Sequence, residues 1–507
     1  MRRVMILGVA MMVGPMQAAV IGMNTPVKPL TVERVRTEVP KGEQAAWLAY
    51  LRRSTEQMGA DKAALAAERA GMTEVPGLPK QGFSGRALRL HEPAAFYKSE
   101  EARRTGEIIL SFQTPAGGWS KNLLMDAPRL KGQSYATANL APTTASGGAE
   151  GAPSDFDTPK DAKWHYVGTL DNDATNTELH FLAKLSAAWP GAEGDGFRAS
   201  FLRGVQYLLH AQYPNGGWPQ VWPLEGGYHD AVTFNDDAEV ESAELLTRVA
   251  GGYGQLRDSR PTHPGGEAAG MDGAPGQKVP GVEASPGVEA EEDYSFVPGA
   301  VRHEAKVAVA KALDCVLKAQ VRVPMVPPAS QKRDMGHPDS RGGSGSGVVH
   351  PDARGVLTVW AQQYDPLTLE PVSARNYEMP ALSSGESASA MAYLMSLPKP
   401  SAGVVRSVEA AEAWFEADKI MGYTWSGGRE TPGGRSLKKV DGAGPLWARY
   451  YSLTTEKPIF GDRDRTIHDE VMEISLERRN GYAWYSGGEE KVLEGFAGWE
   501  RAVRRQE

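Results

Sequence analysis

One phrase occurs twice in this chain and limits its fold more than any other feature. Residues 113–119 read Gln-Thr-Pro-Ala-Gly-Gly-Trp, and residues 212–218 read Gln-Tyr-Pro-Asn-Gly-Gly-Trp. Each copy follows a stretch of helical periodicity, which predicts an internally repeated helical architecture. The helix ahead of the second copy, 197–211, puts Phe201, Val205, Leu208 and Leu209 on one face. A third copy of that helix spans 302–320, with Val309, Leu313, Val316 and Leu317 on one face. It ends in Ala319-Gln320, as the second ends in Ala211-Gln212, but no Gly-Gly-Trp follows. Further helices are predicted over 43–69, 95–112, 387–396 and 406–420. Two more open at Asp171-Asn172-Asp173 and Asn235-Asp236-Asp237. Strand signals are weak, with short hairpin candidates at 355–361 and 481–485. The expected body is all-α: paired helices wound into a ring or horseshoe, with helix-opening loops facing one side.

The remaining segments are set apart by composition. Residues 1–19 combine a basic start, a short apolar run and Ala18-Ala19, the pattern of a signal peptide, so a secreted protein (periplasmic or extracellular) is expected. Residues 20–90 form an N-terminal lead-in, with 22–40 as a spacer, and 91–490 the helical domain. Residues 126–163 are a long loop. The segment 258–300 holds 8 Gly and 6 Pro, and 324–355 is equally rich in Gly, Pro and Ser; neither can bury enough apolar surface to fold alone, so both are expected to be disordered surface insertions. Cys315 is the one cysteine, which excludes an internal disulfide; its apolar helical setting predicts a packed thiol. A net charge of −8 argues against nucleic acid as the main partner. No apolar run is long enough to span a membrane. A monomer is expected.

Three groups of residues could carry chemistry. Asp171-Asn172-Asp173 and Asn235-Asp236-Asp237 are near-copies at the openings of two helices. Capping the first turn is the plain explanation of either one. Equivalent loops of a helical ring converge on one rim, however, so these carboxylates could share a hard cation such as Ca2+. Trp119 and Trp218 could pack on the next repeat, or offer a flat face to a sugar ring, with Lys121 and Asn122 beside the first for a carboxylate and hydroxyls. Arginines in the Pro-, Gly- and aromatic-rich loops of the C-terminal half (Arg375, Arg449, Arg463) have the fork geometry that grips carboxylates.

Taken together, these motifs resemble the family 10 pectate lyases, also called pectic acid lyases. The segments that carry the resemblance are QTPAGGWSKN at 113–122, Asp171-Asn172 with Ala174-Thr175, YPNGGW at 213–218 and Asn235-Asp236-Asp237. DPLTLEP at 365–371, SARNYE at 373–378, and PIFGDRD followed by ISLERRNGYAWY within 458–485 complete the set. The resemblance implies an (α/α)3 toroid and Ca2+-assisted β-elimination of polygalacturonate. It also implies roles: Arg375 as the base, beside Tyr377; Arg449 and Arg463 on substrate carboxylates; Asp171 on Ca2+ with Asp236 or Asp237, Asp236 being favoured. Arg465 departs from the pattern, standing where a small residue is expected. Two other classes compete. A glycoside hydrolase would draw an acid and a base from Asp171, Asp173, Asp236 and Asp237. A non-catalytic polysaccharide-binding protein would use the Trp loops alone.

Overall fold

The computed structural model describes residues 19–82, 88–138, 156–157, 161–251, 290–324 and 355–505. Most of the expected signal peptide and the greater part of both expected insertions lie outside these residues.

The helices are α1 (Val32–Glu38), α2 (Gln44–Arg69), α3 (Ala94–Tyr97), α4 (Glu100–Phe112), α5 (Asn176–Ala188) and α6 (Asp195–Ala211). They continue with α7 (Ala238–Val249), α8 (Gly299–Ala319), α9 (Ser384–Ser396), α10 (Ala402–Asp418), α11 (Leu476–Gly481) and α12 (Glu490–Arg504). Three pairs, α5/α6, α7/α8 and α9/α10, make an (α/α)3 toroid. The first member of each pair lies inside. Every residue of α5 from Asn176 to Ser186 is buried, and α7 and α9 are buried along most of their length. The second members are outer helices; α8 buries only the stripe Ala305, Ala308, Ala312, Cys315, Val316 and Ala319. Cys315 is a packed thiol, fully buried, with its pKa raised by that burial. Helix α4 precedes the ring as an outer-type helix against α6, and α12 packs on α9 and α10.

Each of the first three outer helices is fastened to the next by the same two side chains, and α10 keeps the first of them. The indole N–H of Trp119 donates to Ile109 O (2.8 Å), one turn before the end of α4, and Trp218 does the same to Leu208 O on α6 (2.8 Å). Trp360 repeats the bond to Val316 O on α8 (2.7 Å), and Trp447 to Phe415 O on α10 (2.9 Å). The Gln that follows each of the first three outer helices spans the seam. Gln113 Nε2 donates to Gly117 O (2.8 Å) and to Ser200 O on α6 (2.9 Å). Gln212 donates to Gly216 O (2.8 Å) and to Ala308 O on α8 (2.9 Å). Gln320 donates to Thr358 O (2.7 Å) and to Ser407 O on α10 (2.9 Å). The third unit therefore does have its tryptophan. It is Trp360, carried away from Gln320 by the intervening 324–355 segment.

The glycines of the phrase serve this clasp. At Gly117 (φ +106°) a Cβ would lie 2.4 Å from Arg203 O, and at Gly216 (φ +102°) 2.1 Å from Lys311 O. Each loop can press its backbone on the neighbouring outer helix only without a side chain.

Two expectations for the lead-in and the first insertion are corrected. Residues 22–40 are not a spacer. Val20–Met23 pairs with Thr466–His468, and that strand pairs with Phe460–Gly461. Asn24 then donates to three carbonyls of the 375–378 loop, Arg375 O (3.1 Å), Asn376 O (3.0 Å) and Glu378 O (3.2 Å). Residues 290–300 are likewise fixed to the body: Glu292 accepts from His180 (2.7 Å), Arg248 (3.2 Å) and Tyr294 (2.5 Å). Both strand candidates form two-residue strands, but neither is a hairpin: Val356–Leu357 pairs with Arg322–Val323 across the insertion, and Tyr485–Ser486 with the distant Trp447–Ala448.

Truncating Gln320 to Ala takes the partner from two buried groups, Thr358 O and the Ser407 hydroxyl, each costing about 1–3 kcal/mol. We expect Gln320→Ala to lose about 2–4 kcal/mol of stability in urea unfolding, and a loss below about 0.5 kcal/mol would show that the clasp does not hold the ring.

Candidate active site

The two acidic turns come together on one rim because the inner helices they open, α5 and α7, lie side by side. Asp171–Asp173 and Asn235–Asp237 are both single 3-10 turns. Both take left-handed backbone at corresponding positions: Asn172 (φ 54°) and Asp173 (φ 60°), Asp236 (φ 51°) and Asp237 (φ 58°). Asn and Asp tolerate that region better than most residues, which explains the residue types. Thr175 is also left-handed (φ 69°), a costly state for a β-branched residue. Its hydroxyl is fixed on both sides, accepting from Trp119 N (3.0 Å) and donating to Thr169 O (2.8 Å). The buried tryptophan of the first clasp thus sets the turn that presents Asp171.

It is Asp236 that meets the first turn, taking Asn172 N–H (3.1 Å) and Asn235 Nδ2 (2.8 Å). Asp171 is 2% exposed; its carboxylate contacts that of Asp236 and is ion-paired with Lys121, itself 2% exposed. Burial pushes the Asp171 carboxyl up, but Lys121, the Asp236 contact and Arg375 together pull it well below the usual carboxylate range. Lys121 Nζ also sits 3.4 Å from the centre of the Tyr166 ring, and Asn122 accepts from Asn172 Nδ2 (2.9 Å).

The arginines join this rim through an unbroken chain of polar contacts. Asn235 Oδ1 accepts from Gln362 (2.8 Å) and faces Arg449 (3.5 Å). Arg449 pairs with buried Glu386 (2.8 Å) and donates to Tyr450 OH (3.2 Å). Tyr450 OH meets Tyr482 OH (2.7 Å), which donates to Glu378 (2.7 Å). Glu378 faces Arg375 (3.6 Å), and Arg375 Nε lies 3.6 Å from Asp157. Arg375 retains 21% side-chain exposure and Arg449 19%, so both reach solvent from a buried base. Burial alone would lower the Arg375 pKa; Tyr377, Tyr228, Glu378 and Asp157 more than reverse this and hold the guanidinium charged. Tyr377 stands between two arginines, its hydroxyl 3.5 Å from Arg375 and its ring 5.6 Å from Arg463. Arg463 is gripped by Glu477 (2.9 and 3.1 Å), and burial, which raises that carboxyl, is outweighed by Arg478 and Arg463, bringing it down to about 2.

The pectic acid lyase family matches residues 113–260 and 350–493. This chain belongs to that family. The pectic acid lyase assignment makes it a polysaccharide lyase. The family 10 polysaccharide lyase of Cellvibrio cellulosa superposes with a TM-score of 0.54 at 24% identity, covering 80% of this chain and 95% of that one. A mutant of that enzyme in complex with trigalacturonic acid gives 0.53 and 24%, covering 82% and 99%. Among curated proteins no match is found.

One part of the expected pectic acid lyase site is corrected. Trp119 and Trp218 are both fully buried, their indole nitrogens spent on the outer helices, so neither can offer a ring face to sugar. Their place is in the clasp. Arg465, the departure from the pattern, occupies a left-handed position (φ 74°) that favours glycine, and its guanidinium stacks 4.7 Å from the Phe156 ring. Several neighbours carried no signal in the sequence. Asp157 sits in the long 126–163 loop, and Tyr166, Glu386 and Gln362 belong to no duplicated phrase. Glu378 and Tyr482 lie inside the SARNYE and ISLERRNGYAWY motifs, whose pattern does not itself point to these two residues.

Lys121→Met would leave Asp171 buried without its cation. We expect a loss of about 3–5 kcal/mol by chemical denaturation near neutral pH, with most of it recovered in Lys121→Met/Asp171→Leu. The sign with pH is fixed: a depressed carboxyl stabilises above its unfolded value of about 4 and loses that stability as pH falls through its lower folded value.

Proposed function

We propose that this chain cleaves polygalacturonate by Ca2+-assisted β-elimination, with Arg375 taking the C5 proton. One observation carries the reading: the contacts that run from Asp171 and Asp236 through Asn235, Arg449 and the tyrosine pair to Arg375. On this reading a cation grip, a carboxylate grip and a base stand along one rim. The trigalacturonic acid bound by the similar mutant lyase supports the substrate class. A single chain supplies every residue, so a monomer suffices. Export rests on the sequence of residues 1–19.

The acidic turns fit a hard divalent ion. The carboxylates of buried Asp171 and partly exposed Asp236 touch, the amide oxygens of Asn122 and Asn235 lie in the same turns, and no sulfur or imidazole is among them; the Lys121 ammonium now paired with Asp171 would give way to the ion. Asp171 and Asp236 would hold Ca2+, which when bound neutralises a uronate carboxylate and so acidifies the neighbouring C5–H. Arg449, anchored on Glu386 and stacked 4.8 Å from the Tyr482 ring, presents its fork to a second carboxylate from a fixed position. Arg463, held by Glu477, extends that binding row. Arg375 must lose a proton before it can accept one. Its backbone is fixed by Asn24 and its head by Glu378 and Asp157, so its position is set before substrate arrives.

Hydrolysis by the acidic turns fits less well. An acid–base pair needs its carboxyl groups about 5–9 Å apart to admit the sugar, and those of Asp171 and Asp236 are in contact.

Polygalacturonate should yield ultraviolet-absorbing unsaturated uronides, with chelator abolishing the signal and calcium restoring it. Equal product in chelator would remove the Ca2+ role. Arg375→Ala should lose about a thousandfold in turnover while still binding oligogalacturonate in titration calorimetry. Because its neighbours hold Arg375 protonated, the rate should rise with pH, about tenfold per unit, from about pH 7 to about pH 10. A flat profile over that range would take proton abstraction away from Arg375.

A further inference from the structure

A second cluster of ligating groups lies beside Arg375, and only one of its members, Asp157 through Oδ2, enters the chemistry above. His165, His229 and Asp157 each bring one donor atom within 4.8 Å of the others. Asp157 Oδ1 is 3.1 Å from His229 Nε2 and 3.7 Å from His165 Nε2. A tetrahedral ion with bonds of about 2.1 Å separates its ligand atoms by about 3.4 Å. All three residues are buried, at 2–3% exposure. His165 Nε2 is shut off from solvent and makes no hydrogen bond, while Nδ1 of the same ring is engaged by Glu225 (2.9 Å). With Nδ1–H donating to Glu225, Nε2 directs an unused lone pair into the cluster. His229 differs: its Nδ1 lies 3.3 Å from both Gly226 O and Glu225, and its Nε2 already faces Asp157 and Tyr166 OH, bonds that a metal would replace. One carboxylate behind two imidazoles is the outer-sphere arrangement that fixes metal-ligating histidines. Tyr166 OH, 2.9 Å from His229 Nε2 and 3.3 Å from Asp157 Oδ1, closes a fourth side.

We propose that His165, His229 and Asp157 form a buried site for a first-row divalent metal of the Zn2+ class, oriented by Glu225 and distinct from the oxygen-only acidic turns. Imidazole donors select such an ion over Ca2+. The site ties three separate stretches together: the loop at 156–157, residues 165–166 and the 225–229 turn. It takes Oδ1 of Asp157 and leaves Oδ2 on Arg375.

The test is direct metal titration of chelator-stripped full-length protein with Co2+ in excess Ca2+. The expected result is one Co2+ per chain with the visible bands of a four-coordinate N/O site, displaced by Zn2+. Glu225→Gln should weaken Co2+ by about 10- to 100-fold, His165→Gln and His229→Gln should weaken it further, and Asp171→Asn should leave it unchanged. Far-UV circular dichroism checks that each variant is folded. Folded wild-type protein that takes up no stoichiometric Co2+ or Zn2+ would overturn the site. So would binding that both histidine variants leave intact, or that Asp171→Asn abolishes. X-ray absorption of the wild-type Co2+ form gives the ligand atoms whether or not a variant folds, and an oxygen-only shell would also refute it. None of these outcomes depends on which residue abstracts the C5 proton.

Discussion

A buried indole N–H bonded back to the outer helix before it is the contact on which the molecule depends. It recurs at Trp119, Trp218, Trp360 and Trp447. Each fixes where the chain turns inward after an outer helix, and so where the following segment begins. In the first unit the link to function is immediate, because Trp119 N–H holds the Thr175 hydroxyl that sets the Asp171 turn. In the second, Trp218 N–H bonds Glu239 (2.9 Å), the second residue of α7, just behind Asp236. Repeated packing thus becomes repeated placement of acidic turns.

The cleft is an exercise in mutual charge compensation. Lys121, Asp171, Arg375, Asp157, Glu378, Arg449 and Glu386 are close together, and the carboxylates among them are almost fully buried. An isolated charge there would be prohibitively unstable, whereas removing one partner of a set strands the others. This ties the catalytic groups to the stability of the fold. It also explains why the tyrosines Tyr166, Tyr228, Tyr450 and Tyr482 crowd between them, since a neutral hydroxyl passes hydrogen bonds from one charge to the next without adding another.

Much of the helical ring was legible in the sequence, because its periodic faces and the duplicated phrase are local signals. Helix bounds at 44–69, 195–211 and 299–319 fall within a few residues of the pattern-based ones. The third tryptophan was missed because an insertion separates Gln320 from Trp360, which breaks the spacing but not the contact. The sequence leaves Trp119 and Trp218 between packing and a sugar-facing role because a Trp after two glycines reads the same in a binding loop and in a clasp; burial decides for the clasp. The strand at 20–23 was unforeseen because its partner, Thr466–His468, lies near the other end of the chain. The cluster around Asp157, His165 and His229 had no signature, as its members come from three loops in no recognised spacing.

The middle seam of the ring differs from its neighbours by one hydroxyl. Ser200 returns a hydrogen bond to the Gln113 amide (2.8 Å) and Ser407 one to that of Gln320 (2.5 Å), but Gln212 faces Ala308, which has none to give. Cooperative breathing of the toroid should therefore start between α6 and α8, and amide exchange along that boundary sets the lowest free-energy opening of the body. The crack would run beneath the turn that carries Asp236, giving the half of the cation grip that belongs to α7 a freedom the Asp171 half lacks.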